Sequence, residues 1–66
     1  MRVRINGEDR EFADGTTLPA LLDALGLGVG WVVVERNGTA LLRSEVTATT
    51  LADGDVLELV RAVAGG

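Results

Sequence analysis

The first residues alternate. Met1, Val3 and Ile5 are apolar, and Arg2 and Arg4 lie between them, which is the period of a half-buried strand. Asn6-Gly7 follows, the dipeptide that best accepts positive φ in a two-residue hairpin turn. A second strand over residues 8–13 returns from it, with Phe12 available to a core. Asp14-Gly15 breaks this strand, and Thr16-Thr17 offers hydroxyls to cap a helix. Pro19 suits a first helical turn. Leu18, Leu21, Leu22 and Leu25 then fall at i, i+3, i+4 and i+7, one apolar stripe of core character, and Gly26 stands where a left-handed C-terminal residue is wanted. After Gly28-Val29-Gly30, residues 31–36 read as a strand rich in β-branched side chains, with Trp31 packing in the core or at the strand edge. Asn37-Gly38 is a second tight turn, residues 39–42 make a short partner strand, and polar residues 43–50 read as a loop or short turn. Asp53-Gly54-Asp55 turns into a last strand over residues 56–63.

The predicted order is strand, strand, helix, strand, strand, strand. Pairing the first and last strands at the centre leaves their hairpin partners at the edges. The expected fold is therefore α+β: a β-grasp, a mixed sheet of four to five strands with one helix packed on one face. Alternation in the last strand sends Leu57 and Leu59 toward the helix and Glu58, Val60 and Ala62 away from it. In the strand at 31–36, Val32 and Val34 face the helix, and Val33 and Glu35 face away. The uncovered face, with Val33, Glu58, Val60 and Ala62, is a candidate docking surface. Residues 1–63 form the expected domain, and 64–66 a flexible Gly-Gly tail.

Composition then removes whole classes of function. The chain has 66 residues, enough for one domain with a modest core and too few for a large internal cavity. It is 47% apolar and 24% charged, so it is expected to fold. It contains no Cys, hence no disulfide, thiolate nucleophile or thiolate metal site, and no His, the usual general base and commonest metal ligand. Ser44 has no base to activate it, and no catalytic residue or bound cofactor is expected. The net charge of −4 disfavours nucleic acid. Arg2, Arg4 and Arg10 are interleaved with Glu8, Asp9 and Glu11, a solvated strand face. No apolar run approaches the ~20 residues of a membrane span. The opening residues lack a signal peptide's apolar stretch, so a cytoplasmic protein, monomeric when free, is the default expectation.

Glu35-Arg-Asn-Gly38, Arg43-Ser-Glu45, Leu51-Ala-Asp-Gly-Asp55, Val56-Leu-Glu-Leu-Val-Arg61 and the ending Val63-Ala-Gly-Gly66 resemble the ThiS family of sulfur carrier proteins over nearly the whole chain. One departure is Leu42, where the family often has Pro before the arginine matching Arg43. The resemblance implies a carrier for the thiazole of thiamine. An E1-like (ThiF-like) enzyme would adenylate the Gly66 carboxylate with ATP and Mg²⁺, and a sulfur donor would convert it to a thiocarboxylate. A ThiG-like thiazole synthase would then take the sulfur. Gly65 and Ala64 would give the tail clearance in a partner's narrow channel, since glycine adds no Cβ. Other readings stay open at this point: the small subunit of molybdopterin synthase, a sulfur carrier for another product, a ubiquitin-like covalent modifier, or a binding module with an idle tail.

Overall fold

Two Asn-Gly dipeptides set the frame of the sheet in the computed structural model, which describes residues 1–61. Asn6 and Gly7 have φ of 50° and 84°, and Asn37 and Gly38 have 51° and 85°. Positive φ at both central residues is the requirement of the turn whose twist matches two paired strands. The first turn joins β1 (Arg2–Ile5) to β2 (Glu8–Glu11), and the second joins β3 (Val32–Arg36) to β4 (Thr39–Ala40). The last described strand, β5 (Val56–Arg61), slots between the hairpins, parallel to β1 and antiparallel to β3. The order is β2-β1-β5-β3-β4, the β-grasp arrangement expected from the pattern.

Helix α1 (Leu18–Ala24) crosses one face of this sheet. The Thr17 hydroxyl caps it by accepting from the Ala20 amide at 3.2 Å, and Gly26, with φ of 74°, follows its end. Seven residues are too few for a stable helix in water. Burial of Leu18, Leu21 and Leu22, all fully shielded, supplies about 2 kcal/mol each and holds it in place. Leu25 is half-buried at the C-cap. Across from these leucines lie Val3 and Ile5 of β1, Val34 of β3 and Leu57 of β5, all buried.

Residues 43–48, read above as loop, instead form a second helix, α2 (Arg43–Ala48). Its N-cap is Leu42, which has no side-chain acceptor to offer. Glu45 compensates from inside the first turn, accepting from the Leu42 amide at 2.8 Å. The Thr49 hydroxyl donates to the Glu45 carbonyl at 2.6 Å, and Val46 turns into the core. A bridge between Thr17 and Thr50 ties the start of α1 to the exit of α2. Trp31 lies outside the strand predicted over residues 31–36. It ends a 3₁₀ turn at Val29–Trp31, just before β3, and at 59% exposed it is at the strand's edge and not in the core. Its indole lies close over Gly28, where a Cβ would come within 3.0 Å of Trp31 Cδ1.

Candidate functional site

β5 is the strand that leads toward Gly65-Gly66, and both hairpins grip it. On the β1 side, the Asn6 amide donates to the Leu57 carbonyl at 3.0 Å. The Asn6 side chain then continues the ladder past the turn. Its Oδ1 accepts from the Leu59 amide at 2.8 Å, and its Nδ2 donates to the Leu59 carbonyl at 3.2 Å. On the β3 side, the Asn37 amide donates to the Val56 carbonyl at 2.8 Å, and Asn37 Oδ1 accepts from the Val56 amide at 2.9 Å. Turn geometry alone accounts for an Asn at these positions. These five side-chain and main-chain contacts, three from Asn6 and two from Asn37, give each Asn a second task, that of fixing β5.

The start of β5 is pinned by Asp55, which is 5% exposed. Its carboxylate accepts from Arg36 Nε at 3.0 Å, Asn37 Nδ2 at 3.1 Å and the Ala52 amide at 2.9 Å, with Arg36 Nη2 2.9 Å away. Burial pushes the Asp55 carboxyl up, but the Ala52 amide, Asn37 and the Arg36 guanidinium together outweigh it and hold its pKa below the ordinary value. The Asp-Gly-Asp turn thus contains a buried ionic node that the sequence reading treated as turn geometry alone.

The face of the sheet away from α1 is open. Val33 and Val60 are register partners across β3 and β5, 55% and 62% exposed. The neighbouring register pair on the same face is Glu35 and Glu58, both exposed. Toward β1 and β2 the face becomes an ion-paired surface, with Arg4 Nε 3.0 Å from Asp9 Oδ1 and Arg2 Nε 3.3 Å from Glu11 Oε1. The hydrogen bond between Arg4 and Asp9 raises the arginine pKa and lowers that of the aspartate. Val33, Glu58 and Val60 therefore share the uncovered face, as alternation implied. Ala62, Ala64, Gly65 and Gly66 lie outside the described residues.

A depression of about 500 Å³ on this surface is open and lined by charged groups including Arg2, Arg4, Asp9 and Glu11. Among the described residues no three His, Cys, Asp or Glu side chains gather to hold a metal, and no helix is long and apolar enough to cross a membrane. What the geometry provides is a rigid strand, an exposed apolar pair beside it, and a defined direction toward residues 62–66.

The ThiS family model matches residues 3–66. The chain is 41% identical over 64 residues to the sulfur carrier protein ThiS of Thermus thermophilus, covering 97% of this chain and 98% of that one. It is also 41% identical, over its full 66 residues, to a thiazole synthase of Paramagnetospirillum magneticum, and 38% identical to one of Magnetococcus marinus. It spans only 20% of the length of each of these two. The crystal structure of the thiamine biosynthesis protein ThiS from Geobacter metallireducens superposes with a TM-score of 0.82 at 35% identity, covering all of both chains. A carrier-sized chain of the same length and fold, matched from end to end, places this protein: it belongs to the ThiS family.

Proposed function

We propose that this chain is a sulfur carrier that works as a co-substrate of partner enzymes, with Gly66 as the terminal carboxylate. The observation that carries the reading is the end-to-end match to a sulfur carrier protein of nearly equal length. The grip on β5 supports it, because a group that must enter another protein's active site needs a fixed base.

The chemistry follows from the weakness of a carboxylate as an electrophile. In the adenylating enzyme, a Gly66 carboxylate oxygen attacks the α-phosphorus of ATP, with Mg²⁺ on the phosphates, and pyrophosphate leaves. A hydrosulfide equivalent from the sulfur donor then attacks the acyl carbon, and AMP leaves with the original oxygen. The product is a thiocarboxylate, a nucleophile that stays tethered. Gly65 and Gly66, without Cβ atoms, and the small Ala64 suit a narrow channel. Val33, Val60 and Glu58 form the docking face for the adenylating enzyme, and the sequence alternation adds Ala62 to the proposal. Thiazole synthase is the proposed acceptor of the sulfur. The two relatives that bear that name support it, since a domain like this one accounts for a fifth of their length.

Incubation with an E1-like adenylating enzyme, ATP, Mg²⁺ and sulfide, followed by intact-mass measurement, tests the carrier chemistry. The expected result is the mass gain of exchanging one oxygen for sulfur, located on the peptide ending at Gly66. An unchanged mass would reject the reading. Addition of thiazole synthase and its remaining substrates should return the carrier to its carboxylate mass, and a persistent thiocarboxylate would reject that acceptor.

A further inference from the structure

The open face carries an arrangement that folding alone does not reward. Glu35 and Glu58 are direct register partners on antiparallel strands. Side chains so placed have Cβ atoms about 5 Å apart, and like charges there oppose the pairing of the strands. The fold could relieve this with a nearby arginine, as it does elsewhere on the same face. Arg2 and Arg4 are both committed to Glu11 and Asp9. Arg36 follows Glu35 in sequence but points to the other face, into the Asp55 node. Among the described residues, neither Glu35 nor Glu58 has an ion-pair or side-chain hydrogen-bond partner. The uncompensated pair directly adjoins the most exposed apolar pair of the sheet, Val33 and Val60.

We infer that Glu35 and Glu58 form a recognition element for the adenylating enzyme, receiving an Arg or Lys side chain between their carboxylates while an apolar patch of that enzyme covers Val33 and Val60. This rests on the carrier reading and adds the charge chemistry of the contact. Two carboxylates one strand-spacing apart suit a single cation, best a guanidinium, whose planar fork can donate to both. The apolar pair beside them excludes water from the contact, which strengthens the attraction. The chain's net charge of −4 acts in the same direction at long range, drawing a basic surface toward it. A second copy of this chain is a poor occupant of the face, because it would set four carboxylates against one another.

The test uses the E1-like enzyme that adenylates the wild-type chain, with affinity measured by titration calorimetry across a salt series. The isosteric double variant Glu35→Gln/Glu58→Gln should bind at least about tenfold more weakly at low salt and with a visibly flatter dependence on salt. Its melting temperature should be equal to or above that of wild type, because a repulsion has been removed. Val60→Ser should weaken binding while leaving the salt dependence as in wild type. Equal affinity and salt dependence for wild type and the double Gln variant, with thiocarboxylation intact, would overturn this inference and leave the carrier reading standing. Failure of any E1-like enzyme to bind or modify the wild-type chain would overturn both. Dimerisation of the free chain that Val60→Ser abolishes would assign the face to a second copy and overturn the proposal.

Discussion

Leu57 and Glu58 are neighbours in the chain, yet they sit on opposite faces of one strand and answer to different demands. The Leu57 face is closed: its side chain is fully buried against α1 and its hairpin neighbours. The Glu58 face carries an opposed carboxylate pair and two valines left more than half exposed. A period of two residues lets one six-residue strand hold the domain together on one side and present a surface on the other. The difference teaches where to look for a contact with a partner. The proposed docking surface lies on the face whose composition stability does not explain.

The contrast can be broken most forcefully at Leu57. Leu57→Ala should cost about 2–5 kcal/mol by chemical denaturation, a large share of what so small a domain possesses. A loss below about 1 kcal/mol would mean that the closed face is not the source of stability. Next comes Asp55→Ala, which strands Arg36, Asn37 and the Ala52 amide and should cost about 2–3 kcal/mol. The same residue sets an acid limb. Its folded pKa lies below the unfolded value of about 3.9, so the unfolded chain binds the proton more readily. Its contribution is therefore complete above that value and fades as pH falls through the folded pKa. Asp55→Asn should flatten the acid limb of a stability-against-pH curve, and an unchanged limb would remove Asp55 from its cause.

Smaller effects belong to the two turn asparagines. Asn6→Gly and Asn37→Gly keep the positive φ and delete the side-chain contacts with β5, and Asn37→Gly also removes the hydrogen bond to Asp55, so the first should cost about 1 kcal/mol and the second about 1–2 kcal/mol. Hydrogen exchange gives a sharper reading: Asn6→Gly should speed exchange at the Leu59 amide, and Asn37→Gly at the Val56 amide. Both amides unaffected would reduce the asparagines to turn formers. The least effect on stability is expected at Val60→Ser, within about 0.5 kcal/mol, because its side chain is already exposed. A greater loss would erase the distinction between the faces.

Much of this was legible without coordinates because it is written locally. Two Asn-Gly turns, the alternation in β1, β3 and β5, and the leucine stripe of α1 each announce their element within a few residues. The outward set of Val33, Glu58 and Val60 followed from parity alone. Helix α2 escaped because its N-cap is a leucine and its six residues include a serine and a threonine. The available signal was Glu45, three residues after Leu42, which reaches back to the Leu42 amide. Trp31 was misplaced because a strand-like run does not reveal the 3₁₀ turn that precedes it. The Asp55 node and the opposition of Glu35 to Glu58 belong to strand register. No local pattern encodes which residue of β3 faces which residue of β5.

The sheet order carries a consequence for biosynthesis. β5 is the last of the five strands to be made but occupies the middle position. Each hairpin is a local structure that can form within microseconds once its turn is complete. Neither inner edge finds its partner until residues 56–61 have left the ribosome, so the nascent domain waits with two open ladders. Closing them brings together segments far apart in the chain, which slows folding relative to a bundle of similar size. A product truncated before residue 56 would hold neither the central strand nor Leu57 and would be a ready substrate for proteolysis. Structural integrity and possession of the strand that leads toward the proposed reactive end are thereby made one property, checked in a single step of folding.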